Sequence, residues 1–176
     1  MPDLGHLSVG LLAGRWYVGD KAEPRELKAA AAAFCVLSLL PDLDLIGRGL
    51  GRADGMALGH RGAFHSLAAA VIVAAACAVA ASRLWKLPAR RAFLFAGLVV
   101  ASHGALDMLD TGNLGVKYLW PFTSRHFFWP WRFLPGPPPG ENWLSLQGAR
   151  VVAEGTAYFI PVFILALWPR RRRDGH

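Results

Sequence analysis

From Ser66 to Ala81 the chain carries no charged residue at all. A run of that length, rich in Ala and punctuated by Val and Ile, exceeds the usual strand and favours helix. It also approaches the roughly 20 apolar residues needed to cross a bilayer. The run extends back to Phe64 as one of five such candidates. The others cover about Leu4–Val18, Leu27–Leu40, Ala92–Leu109 and Val151–Trp168. Pro24, Pro41, Pro88 and Pro169 stand at the breaks between them, and Glu23-Pro24-Arg25-Glu26 has the character of a helix start. The first two candidates are short for a span. An all-α membrane bundle of about five helices is therefore expected.

Composition agrees with that placement. Hydrophobic residues make up 54 % of the chain and charged residues 18 %, where a soluble domain carries about 25 % charged. The 176 residues suffice for one domain, taken as 1–169, followed by a basic tail over 170–176. The net charge of +7 comes from short basic runs between apolar blocks. Such runs fit membrane flanks, and no nucleic-acid partner is expected. Cys35 and Cys77 both lie in apolar stretches without a CxxC spacing, so they read as small hydrophobes.

If all five helices cross, the basic residues sort by side. Arg15, Lys21, Arg25, Lys28, Arg83, Lys86, Arg90, Arg91 and Arg170 to Arg173 share one face and account for 12 of the 19 Lys and Arg. The positive-inside rule makes that face, and the C-terminus, cytoplasmic. Metal-capable side chains then gather at the opposite, outer face. They are His6 on the first helix, Asp42 and Asp44 after the second, and His60 and His65 before the third. His103 and Asp107 close the fourth, and Glu154 opens the fifth. This convergence is independent of the Lys and Arg count that set the topology.

Local spacings support a shared ion. His103 and Asp107 stand at i and i+4, on one helix face. Asp42 and Asp44 stand at i and i+2 after a helix stop, and point the same way if extended. His60-Arg61-Gly62-Ala63-Phe64-His65 brings two imidazoles around a glycine. Imidazole and carboxylate ligands without thiolate suit zinc first, with manganese or iron as alternatives. His6, Asp42, His60, His65, His103 and Asp107 are the candidate ligands, enough for one or two ions. Simpler readings exist for each residue alone. An Asp can cap a helix, and Glu154 can pair with Arg150 four residues before it. The loop from Trp120 to Leu134 mixes aromatics with Arg125 and Arg132, as an interfacial aromatic belt does. It also allows Arg125, or Arg61, to hold a phosphate.

The segments LGHLSVGLLAG, LLPDLDLI, HRGAFHSL, ASHGALDMLDT, YLWPFTSRHFFWPWRFLP and RVVAEGTAYF together resemble the YdjM-like membrane-bound metal-dependent hydrolases, also described as LexA-binding, inner-membrane-associated hydrolases. The resemblance runs in order over nearly the whole chain. It implies a prokaryotic inner-membrane protein with a metal-dependent hydrolytic activity, and Glu154 matches the glutamate of the family's closing segment. A looser similarity links the ligand order to the helical zinc-dependent phospholipase C and single-strand nuclease fold. That comparison implies Asp42, His65, His103 and Asp107 as one shell, with His6 sharing Asp107 with a second ion. Arg150 stands where that fold has a histidine, which removes a ligand for a third.

The expected function is hydrolysis of a phosphoester, in a lipid or lipid-linked molecule at the bilayer surface. Water activated by the metal attacks, and Asp44 or Glu154 handles the proton. One rival is a membrane interaction or regulatory protein whose metal is structural. Another is a small ion or proton transporter, which needs polar groups deep in the bilayer; the third and fifth helices offer few.

Overall fold

The computed structural model describes residues 4–51, 56–112, 114–138 and 142–169; the basic tail lies outside them. Among the described residues the fold is all-helical, without a named strand. The helices are α1 (Leu4–Val18), α2 (Pro24–Leu39), the short α3 (Leu45–Gly49), α4 (Leu67–Trp85), α5 (Ala89–Asp107) and α6 (Leu146–Leu167). Two 3-10 turns, Leu40–Asp44 and Ala63–His65, introduce α3 and α4.

Local chemistry explains the starts. Pro24 occupies the first turn of α2, where its missing N–H costs nothing, and the Glu23 N–H donates to Glu26 Oε2 at 2.8 Å. Ser66 caps α4, accepting from the Ala69 N–H, and Ser145 caps α6, accepting from the Gly148 N–H. At Pro41 the α-helical ladder of α2 gives way, and the chain continues as the 3-10 turn that Pro opens.

That continuation changes the count of spans. The second candidate, too short by sequence, extends through the turn into α3, so Pro24–Gly47 offers 24 residues. With α4 and α6 it is one of three helical segments long and apolar enough to cross a membrane. The fourth candidate, now α5, falls outside that set. Arg90, Arg91, His103 and Asp107 supply its polarity. Only 15 residues long, α1 is also short of a span.

α1, α2 and α5 pack on one another; α4 adds to α5 and α6 adds to α1. The α1–α2 seam is close because Gly10 and Gly14, at i and i+4, have no side chain. A Cβ on Gly14 would stand 2.6 Å from the Ala31 Cα, and one on Gly10 2.8 Å from the Cys35 Cα. Small residues at that spacing let helix backbones touch where lipid supplies no hydrophobic drive. Ala13, Phe34 and Val99 form the core beside it. The outer faces of α4 and α6 leave Val71, Ile72, Val79, Ile160 and Ile164 exposed, as lipid-facing helices do.

Successive long helices alternate in direction. The α1 end meets the α6 end through Arg15, which donates to the Ala166 and Trp168 carbonyls. The α5 start joins that end through Arg91, which donates to the Trp16 carbonyl at 3.1 Å. The opposite end therefore gathers the start of α1, the end of α2, the start of α4 and the end of α5.

Candidate metal centre

At that gathered end His6, His65, His103, Asp44, Asp107 and Asp110 are buried. His103 and Asp107 come from the last turn of α5, Asp42 and Asp44 from the first 3-10 turn, and His65 from the second. Gly104 lets these pieces meet: a Cβ there would stand 2.5 Å from the His65 carbonyl oxygen and 3.0 Å from the Tyr118 ring. Gly62 does the same inside the second turn, where a Cβ would stand 2.2 Å from the Met56 carbonyl oxygen. Arg61 takes a left-handed backbone, φ 64°, to turn the chain between the two histidines.

Asp42, His65, His103 and Asp107 each bring one ligand atom to within 4.8 Å of the other three. Asp42 Oδ1 lies 3.5 Å from His65 Nε2 and 3.3 Å from His103 Nε2. Asp107 Oδ2 lies 3.5 Å from His65 Nε2 and 3.8 Å from His103 Nε2. Arms of about 2.0–2.2 Å to one ion put tetrahedral ligands roughly 3.3–3.6 Å apart. Three of these four distances fall in or at the edge of that range, and all four donors lie within 4.8 Å of one another.

The outer contacts fix which nitrogen faces inward. His103 Nδ1 donates to the Ser38 carbonyl at 2.7 Å, and a carbonyl only accepts, so the neutral ring leaves Nε2 with a lone pair. His65 Nδ1 lies 3.0 Å from Asp44 Oδ2, which leaves its Nε2 facing Asp42 and Asp107. Both Nε2 atoms are buried without a hydrogen-bond partner. Burial disfavours the charged His65 ring, but Asp107, Asp42 and Asp44 outweigh it and hold the imidazole well above its ordinary pKa. The neighbourhood has an excess of two negative charges: Asp42, Asp44, Asp107 and Asp110 face the Arg61 guanidinium and the charged His65 ring. The donor set fits a divalent cation.

The remaining residues surround this group. Asp44 holds the 60–65 turn together: Oδ1 accepts from His60 Nδ1 at 2.8 Å, and Oδ2 accepts from the Arg61 N–H at 3.2 Å. Asp42, Asp44, His60 and His65 form a second set with metal-ligand spacing, sharing Asp42 and His65 with the first. His6 joins the cluster without entering either set. Its Nε2 lies 3.3 Å from Asp107 Oδ1, and its ring stacks on His103 at 3.7 Å. Arg61 is buried, pairs with Asp110 at 2.9 Å, and brings Nε to 3.8 Å from Asp107 Oδ2. Its Nη1 is buried without a partner.

Two of the sequence candidates stand apart. Glu154 is exposed on α6 and pairs with Arg150 at 2.6 Å, one helical turn back. α6 begins at Leu146, five residues before the expected start, so Glu154 lies in its third turn rather than its first; α6 packs on α1, and the nearby guanidinium takes the Glu154 carboxylate. Arg125 is exposed on the long loop, where its N–H donates to Thr123 Oγ1. Conversely, three participants escape a sequence reading centred on ligands. Asp110, which reads as a helix cap, is fully buried against Arg61. The Ser38 carbonyl and Gly104 act through backbone and through absence of a side chain; only the glycine next to His103 signals a close approach.

The arrangement defines a membrane helical bundle with a His/Asp donor group at one end. Residues 1–171 match the YdjM inner membrane protein family, and the chain belongs to it. It is 33 % identical to the inner membrane protein YbcI of Escherichia coli (strain K12) over 171 residues, 95 % of this chain and 96 % of that protein. No solved structure matches.

Proposed function

We propose that the chain is a metal-dependent hydrolase at the membrane surface, acting on a phosphoester. The carrying observation is the close grouping of Asp42, His65, His103 and Asp107, with two buried imidazole nitrogens that lack a hydrogen-bond partner. A divalent ion held there, zinc by ligand preference, supplies Lewis acidity and lowers the pKa of a water. Asp42 is the most exposed of the four, its side chain 21 % open, and so marks the way in for water and substrate. Asp44 acts as a positioning residue, holding the His60–His65 turn rather than shuttling a proton. The unpartnered Nη1 of Arg61 is placed to steady an anionic oxygen. The outward face for this end, and the cytoplasmic face for Arg15 and Arg91, follow the distribution of Lys and Arg.

One observation favours a second reading, a structural metal in an interaction or regulatory protein. Four grouped protein ligands can close a zinc shell. Metal analysis of detergent-purified chain tests both. Wild type is expected to carry a divalent ion and the His103→Ala/Asp107→Ala variant to lose it while remaining helical by circular dichroism. Protein that stays metal-free after exposure to zinc, manganese and iron would sink both readings. A phosphoester and phospholipid screen then separates them: chelation abolishes turnover in a hydrolase, whereas a structural site loses thermal stability and never turns over.

A further inference from the structure

The long connection between α5 and α6 is folded onto the metal end. Its root is pinned there: the Lys117 N–H donates to the Arg61 carbonyl, the Leu67 N–H to the Tyr118 carbonyl, and the Trp129 N–H to the Met108 carbonyl. The buried residues of this loop are aliphatic, Val116 and Leu134, both fully enclosed. Its rings point outward instead: Phe122 is 92 % exposed and Trp131 77 %, with Phe128 and Phe133 also open. A water-facing loop inverts that pattern. The loop lies outside the three candidate spans, so crossing the bilayer does not explain its rings.

Charge decides what covers it. From Thr111 to Gly140 the sequence holds no Asp or Glu, while Lys117, Arg125 and Arg132 interleave with the aromatics. Arg125 is exposed, and the Arg132 guanidinium sits 5.0 Å over the Phe128 ring. Aromatic rings with cations and no acid match the layer where acyl chains meet anionic headgroups. Another protein would need an equally acidic, apolar face.

We propose that this loop is immersed in the headgroup layer and holds an anionic phospholipid beside the metal group. The surface stands apart from the proposed hydrolysis, because it would hold lipid whether or not the centre turns anything over. If both hold, the substrate reaches Asp42 from the leaflet rather than from bulk water.

The test uses the full chain in vesicles. Phe122→Cys, in a Cys35→Ala/Cys77→Ala background, carries an environment-sensitive fluorophore; Trp131→Cys serves as a second position should the first fold poorly. Lipids brominated on their chains are expected to quench the probe, and aqueous iodide is not. At equal low fraction in phosphatidylcholine vesicles, brominated phosphatidylglycerol is expected to quench at least twofold more than brominated phosphatidylcholine. Arg125→Ala/Arg132→Ala is expected to erase that preference and leave metal content intact. Ready quenching by iodide without quenching by lipid would overturn immersion, and would point to water or a protein partner. Equal quenching by the two lipids would overturn the anionic headgroup. Turnover enters none of these outcomes, and metal content enters only as a check that the variant is folded, so this proposal and the hydrolase reading can fail separately.

Discussion

The two ends of the bundle handle charge in opposite ways. At the basic end Arg15 and Arg91 each act separately, on backbone. Arg15 donates to carbonyls at the end of α6, and Arg91 donates to the Trp16 carbonyl near the end of α1. Carbonyls at helix C-termini are orphaned and partly negative, so a cation satisfies them locally. At the other end the charged groups face each other. Asp42, Asp44, His60, His65, His103 and Asp107 meet from two 3-10 turns, α5 and a loop, with carboxylate in excess and imidazole nitrogens turned inward without a hydrogen-bond partner. Isolated caps stabilise helices. A converging, incompletely satisfied cluster costs stability and earns its keep only through what it holds.

That contrast predicts unequal damage from mutation. The largest effect is expected at Gly104. Adding a single methyl puts Cβ 2.5 Å from the His65 carbonyl oxygen, so backbone must move. Gly104→Ala should cost about 1–3 kcal/mol from overpacking and weaken metal binding by at least ~10–100-fold as His65 is displaced. Thermal unfolding in detergent and a metal titration measure the two. If binding survives intact, the 60–65 turn can retreat without disturbing the donors, and the site end is less rigidly built than the contrast requires.

A smaller change sharpens the assignment within the cluster. Asp44 touches His60, His65 and the Arg61 N–H. As an outer partner its replacement by Asn should weaken metal binding by ~10–100-fold while the ion still binds. Complete loss, equal to that in an Asp42→Ala variant, would make Asp44 a ligand. The set with Asp42, Asp44, His60 and His65 would then be the true centre.

How much of this the sequence revealed depends on which force placed each residue. Long apolar runs drew the helices to within a few residues, because burial and lipid exposure act on every position. The convergence of His6, Asp42, His65, His103 and Asp107 was legible because helix ends alternate and each residue sits at an end. Glu154 shares that end in sequence, yet which helix packs on which is tertiary, and α6 lies against α1. The second span was hidden because Pro41 reads as a stop, whereas a 3-10 turn carries the chain onward. Asp110 and Ser38 were hidden for a different reason. A buried carboxylate and a cap look alike in sequence, and a backbone carbonyl is the same in every residue.

The least effect is expected at the basic end, and it is the sharpest control on the comparison. Arg91 makes one hydrogen bond, to the Trp16 carbonyl at 3.1 Å, and lies over the Tyr17 ring at 5.4 Å and the Phe95 ring at 5.9 Å. Removing such contacts at an exposed position costs roughly 0.5–1 kcal/mol. Arg91→Ala should therefore lower the unfolding temperature slightly and leave metal affinity unchanged, since α5 carries His103 and Asp107 three turns further on. A fall in metal affinity without a matching fall in stability would mean that the two ends communicate along α5. The basic end would then be part of the site's support rather than a set of independent caps.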